Sequence, residues 1–157
     1  MGHAINEQTR YGGIERLVYE FSKELVKENH QISVAGHIDS IYPQGVTLLA
    51  TKPTGDDTFI LDELNQFQQH EHILRKFDII HDFSHQHLAS RFIPNLPSLN
   101  IFWHAPNEIQ YLKAPYNIIG LSKWACRQFE LFYRQKALYQ QSILIDTDVY
   151  KPSEEPR

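Results

Sequence analysis

Histidine supplies most of the chemistry within reach of this sequence. His104 closes the apolar run Asn100-Ile-Phe-Trp and precedes Ala105-Pro106. An imidazole at a strand end can donate or accept a proton at neutral pH, or stabilise charge developing on a bound substrate. The alternative is a strand-end histidine that satisfies a loop carbonyl. A second group, His81, Asp82, His85 and His87, follows the short apolar run Ile79-Ile80. His81 and His85 stand four apart with a carboxylate between them, which raises the question of zinc. The i, i+4 geometry of a helix does not apply to a strand end and a loop, and no closed four-ligand set can be picked out. No metal is therefore expected. Lining of a ligand site and plain loop packing stand as two readings of this group. Well ahead of both lies Tyr11-Gly12-Gly13-Ile14-Glu15-Arg16. Glycines let a ligand approach the backbone and allow positive φ. The free N–H groups at a helix start favour an anion, so Gly12 and Gly13 form a candidate phosphate-binding loop. A tight turn before a surface helix is the alternative.

Other polar residues have simpler readings. Ser122 stands where a helix N-cap is expected, with contact to a bound ligand as the second reading. Cys126 reads as a packed helix residue, since no base can be paired with it. Glu15, Arg16 and Glu20 read as a solvated helix face rather than as cleft lining. Phe129, Phe132 and Tyr133 read as core.

These residues need elements to hold them. Ile14, Leu17, Val18, Phe21 and Leu25 recur at helical spacing, so a helix is expected over Ile14–Glu28, ending at Asn29-His30. Ala125, Phe129, Phe132 and Tyr133 predict a second over Lys123–Lys136. Asp62–Arg75 reads as a very polar third, exposed on one side, and Gln86–Phe92 as a short fourth. Between them lie β-rich runs at Ile32–Gly36, Val46–Ala50, Asp78–His81, Ser98–Trp103, Asn117–Leu121 and Ser142–Ile145. Alternation of this kind predicts an α/β fold, Rossmann-like and three-layered, with a mostly parallel sheet. Ile79-Ile80 and Ile118-Ile119 lack period-2 alternation, which suits strands buried on both faces. Thr51–Thr58 reads as a loop. Residues 1–150 are expected to form one domain, and residues 151–157, with two prolines and two glutamates, a linker or tail. Ahead of the polar segment Asn6–Arg10, Met1–Ala4 are too few for the central strand that normally opens such a fold.

Composition narrows the field. The chain has 157 residues, 41% of them hydrophobic, which is enough for one full core. No apolar run approaches the length of a membrane span, and no secretory signal opens the sequence. A single cysteine excludes an internal disulfide framework and fits a reducing compartment. The net charge of −4 argues against a general nucleic-acid binder.

Five stretches, in order, resemble glycosyltransferase family 4. Tyr11 to Gly36 is similar to the family's glycine loop, helix, Asn-His turn and strand. Phe77-Asp-Ile-Ile-His-Asp-Phe-Ser-His85 is similar to its "FDVIHxH" strand. Asn100-Ile-Phe-Trp-His-Ala-Pro106 resembles the next strand, with its terminal histidine. Ile118-Ile-Gly-Leu-Ser-Lys-Trp124 resembles a "vSxw" strand-to-helix junction. Ile145-Asp-Thr-Asp-Val-Tyr-Lys-Pro152 resembles "GIDTDxFxP", without the Asn-Gly that usually precedes it. Residues 38–76 match no part of the family's pattern.

The resemblance implies one half of a GT-B glycosyltransferase, the N-terminal acceptor-side domain, with the donor-binding C-terminal domain outside these residues. It implies retaining transfer of a hexosyl group from a nucleotide-diphosphate sugar to an acceptor, which is a sugar, a lipid-linked molecule or a small molecule. It implies no other cofactor and no metal. His104 would be the catalytic residue, Gly12 and Gly13 the phosphate or substrate loop, and His81, Asp82, His85 and Ser122 acceptor-side residues. The implied location is cytoplasmic, with peripheral contact at the inner face of a membrane. A non-catalytic module that binds a sugar phosphate or a partner is the first rival. An epimerase-like protein is disfavoured, because no G-x-G-x-x-G occurs.

Overall fold

The computed structural model describes residues 13–54, 60–93, 95–102 and 117–139. Gly12, His104, the expected strand at Ser142–Ile145 and the segment 146–157 lie outside the described residues. In chain order the elements are α1 (Gly13–Lys27), β1 (Ile32–His37), β2 (Val46–Thr51), α2 (Ile60–Leu74) and β3 (Ile80–Asp82). There follow α3 (Leu88–Phe92), β4 (Ser98–Phe102), β5 (Ile118–Gly120), α4 (Lys123–Tyr133) and β6 (Leu138–Tyr139).

Every described strand pair is parallel. β1 pairs with β2, and β3, β4, β5 and β6 form a second sheet in that order. The fold is therefore α/β with parallel sheets, as the alternation of helix and strand signals predicts. α1 and α2 both contact β1 and β2. α1 also reaches β3, where Phe21 stacks on His81 with ring centroids 5.0 Å apart. Asp82, the next residue along β3, instead faces His87, whose ring packs on Phe102 of β4. Alternation along β3 thus sends neighbouring residues into different helical layers.

α1 ends where expected. Asn29 takes a left-handed φ of 66°, and the amide of His30 donates back to the Leu25 carbonyl at 3.1 Å, closing the last turn. β1 and β2 are joined without a helix, through residues 38–45. Gly45 makes this short return possible with φ 94°, and a Cβ there would lie 2.9 Å from Val26 Cγ1 of α1. α4 stops at Tyr133, three residues short of the expected Lys136, because Arg134 turns left-handed at φ 56°. That turn frees Leu138-Tyr139 to pair with β5 as a strand that sequence periodicity did not reveal.

The core lies between the second sheet and α4. Phe102, Ile118, Ala125 and Phe129 cluster there, with Ile118 and Phe129 wholly buried and Tyr133 packed alongside. Phe129 meets Phe102 at a centroid distance of 4.4 Å. Phe132, expected in the core, is instead 48% exposed, its ring meeting that of Tyr133 edge-on at 5.0 Å. Gly120 allows the close approach of α4 to β5: a Cβ there would lie 2.6 Å from Cys126 Sγ and 3.0 Å from its backbone nitrogen. The Cys126 thiol donates to the Leu138 carbonyl at 3.5 Å, so it is a packed residue that ties α4 to β6.

Candidate functional site

In parallel sheets the carboxyl ends of the strands share one edge, and ligand crevices of open α/β folds lie along it. β3, β4 and β5 are adjacent and parallel. The loop 83–87 leaves the carboxyl end of β3. Ser122 follows β5, and in the sequence His104 stands two residues past the end of β4.

Two buried carboxylates shape the loop after β3. Asp82 is 8% exposed and accepts from the Ser84 amide at 2.9 Å and the Ser84 hydroxyl at 2.6 Å. The same hydroxyl accepts from the His87 amide at 3.1 Å. His87 Nδ1 lies 3.5 Å from Asp82 Oδ1, close enough for electrostatic attraction but at the limit of a hydrogen bond. Burial works to raise the Asp82 pKa, but the neighbouring His87 and the Ser84 bonds outweigh it and hold the carboxyl below its ordinary range.

The second carboxylate is Glu63, from the first turn of α2. Its Oε1 accepts from the His85 amide at 2.6 Å and faces His85 Nδ1 at 2.9 Å. Its Oε2 accepts from the Gln86 amide at 2.9 Å. A carboxylate only accepts, so Nδ1 of His85 carries the proton in this pair. α2 reads in the sequence as polar and half exposed, yet Glu63 is 3% exposed and Asp62 8%. The carboxylate of Asp62 accepts from both the amide and the hydroxyl of Thr54 at 2.6 Å, and these bonds lower its pKa. Nothing local marks Glu63, because its partners lie 22 and 23 residues away.

Beneath this loop the core is charged. Arg91 of α3 is 7% exposed, near Tyr133, Asp82 and Glu63. Its Nε and Nη2 make no hydrogen bond, and neither does the Tyr133 hydroxyl, so the attraction is one of proximity. Burial lowers the Arg91 pKa against the pull of those neighbours. Burial likewise raises that of Tyr133.

The four residues clustered in the sequence are thus divided. Asp82, His85 and His87 belong to the loop network. His81 points the other way, into a three-ring cluster with Phe21 and Phe83, with Nδ1 buried and unbonded. Burial lowers its pKa. Among the described residues no three His, Cys, Asp or Glu side chains are grouped to hold a metal ion. Ser122 caps α4, its Oγ accepting from the Ala125 amide at 3.0 Å.

At the start of α1, Gly13 has no left-handed φ, and a Cβ there would meet nothing within 4 Å. Backbone strain therefore does not explain this glycine. Glu15 departs from expectation. It is 9% exposed rather than solvated, and its charge, after burial, helps raise the pKa of Tyr42. Glu20 does pair with Lys23 at 3.5 Å.

No helix among the described residues is long and apolar enough to cross a membrane. No family model matches this chain, and no curated protein matches it either.

Proposed function

We propose that this chain is the acceptor-binding half of a retaining glycosyltransferase of the family 4 type, working in the cytoplasm on a nucleotide-diphosphate sugar. The observation that carries the reading is the chain's arrangement along one sheet edge. Three segments that bear the family-like motifs follow the carboxyl ends of three adjacent parallel strands, β3, β4 and β5. That edge is where an α/β fold offers a crevice.

In this reading His104 supports the charge that develops as the sugar leaves its diphosphate, acting as a positioned imidazole. The helix start at Gly12-Gly13 faces the departing anion with free N–H groups. Asp82 through Oδ1 and Glu63 through both of its oxygens are bound to the loop's own amides. They give loop 83–87 its shape, and His85, with a side chain 38% exposed, is the member of that loop open to an acceptor. Ser122 holds α4 in register at the same edge.

The test uses the protein encoded by the whole reading frame, incubated with a panel of nucleotide-diphosphate sugars. Transfer or slow donor hydrolysis is expected. His104→Ala should lower turnover by about 10- to 1000-fold with an unchanged melting curve. Turnover close to wild type makes His104 structural. Absence of turnover and of donor binding with every sugar leaves the non-catalytic binding module as the better reading.

A further inference from the structure

Buried donors are almost always paired, and one cluster beneath loop 83–87 breaks that rule. Arg91 of α3 is 7% exposed, and its Nε and Nη2 are buried without a hydrogen-bond partner. These two nitrogens share one edge of the guanidinium. Their N–H bonds point the same way, as the prongs of a fork. The hydroxyl of Tyr133, at the end of α4, is a third buried donor without a partner, and it lies close to Arg91. Two carboxylates stand near the guanidinium, and neither fills the fork. Asp82 Oδ1 is held by the Ser84 amide and hydroxyl. Both Glu63 oxygens are held by the amides of His85 and Gln86.

We propose that the Arg91 fork and the Tyr133 hydroxyl form a binding site for the carboxylate of a small molecule. Two parallel N–H bonds match the two oxygens of a planar carboxylate, and the hydroxyl supplies a third donor. Three donors exceed the acceptor capacity of one water molecule, whereas a carboxylate offers about four acceptor sites. Charge selects among oxyanions. Asp82 and Glu63 against Arg91 already give a formal charge of −1, two carboxylates to one guanidinium. A carboxylate adds one more negative charge, while a phosphate monoester adds about −1.5 to −2, so repulsion favours the carboxylate. In the proposed transferase this carboxylate is the acceptor's, which makes the acceptor a sugar acid. That assignment rests on the transferase reading, whereas carboxylate binding itself requires neither donor nor transfer.

The experiment titrates the chain with acetate, glucuronate, glucose and inorganic phosphate at constant ionic strength, with chloride as the balancing anion. One readout is the Nε–H resonance of Arg91 in the NMR spectrum, assigned by its loss in Arg91→Lys. The other is the rise in melting temperature with ligand concentration, which gives the affinity. Acetate and glucuronate should move both saturably, and glucose and phosphate should move neither. Tyr133→Phe, which keeps the ring, should weaken acetate binding about tenfold, the loss expected for one hydrogen bond to a charged group. Arg91→Lys keeps the charge without the fork and should weaken it at least about tenfold. Tyr133→Phe decides the matter if Arg91→Lys fails to fold. No saturable change with either carboxylate overturns the proposal and leaves the fork to buried water. Phosphate binding as tight as acetate binding overturns it too, as does full affinity in Tyr133→Phe. Glucuronate binding no tighter than acetate overturns the acceptor assignment alone, while the transferase reading stands or falls on the panel of nucleotide-diphosphate sugars.

Discussion

His81 and Glu63 show how burial assigns work to single residues. His81 packs in one cluster with two phenylalanines, and burial depresses its pKa. A folded-state value below the unfolded one means that the native protein resists the proton. The stability tied to neutral His81 is then complete above about pH 6.5 and is lost as pH falls through the lower folded value. Urea unfolding across the histidine range should show this decline, and His81→Phe, which keeps the aromatic stack, should flatten it. An unchanged slope would move the titration elsewhere. Asp82 responds in a separate window. Its depressed pKa contributes stability that disappears only below about pH 4. Glu63 bears on the loop more directly, because three loop N–H groups converge on it. Glu63→Ala leaves one buried and one part-buried amide without acceptors and should cost about 2–4 kcal/mol. Equilibrium denaturation measures the loss, and Glu63→Gln, which retains one acceptor oxygen, should fall between the two.

At the scale of elements, the junction of β5 with α4 sets the tolerance of the fold. Ser122 caps the helix, while Gly120 and Cys126 bring helix and strand into close contact. Gly120→Ala should destabilise by about 1–3 kcal/mol, the usual cost of overpacking. Adding Cys126→Ala should recover only part of it, since the backbone nitrogen of residue 126 also lies 3.0 Å from the new methyl group. Full recovery would mean that the sulfur alone sets the spacing. The short return from β1 to β2 depends on Gly45 in a similar way, through its positive φ and its contact with Val26 of α1.

At the scale of the molecule, the polar network under α3 and the apolar core under α4 occupy one layer, joined where His87 packs on Phe102. Loop 83–87 is therefore stiffened from below by the body of the fold. In the proposed enzyme, the groups that hold the donor diphosphate lie in the second domain. Such preorganised groups are commonly the largest catalytic contribution. The 157-residue chain alone should accordingly transfer no sugar from any nucleotide donor. Chromatographic detection of released nucleotide is the check, and robust transfer by these residues alone would refute the half-enzyme reading.

Much of the architecture is written in local pattern. The 3.6-residue period of Ile14, Leu17, Val18, Phe21 and Leu25 predicts α1, and short β-branched runs predict β1 to β5 within a few residues, because each signal is contained in one element. Ser122 is legible as a cap for the same reason. What escaped is non-local. Glu63 reads as one more solvated carboxylate until loop 83–87 folds onto it from 22 residues away. Glu15 reads as surface until it is covered, and His81 and Asp82 read as one cluster until the strand turns them to opposite layers. β6 is too short for any period to register, and only its register against Ile119 and Gly120 makes it a strand. Sequence alone determined the kinds and order of the elements from α1 to α4, since backbone propensity and hydrophobic period act over a few residues. Tertiary structure decided which polar groups are buried and which carboxylates are committed, since burial and long-range hydrogen bonds exist only once distant segments meet.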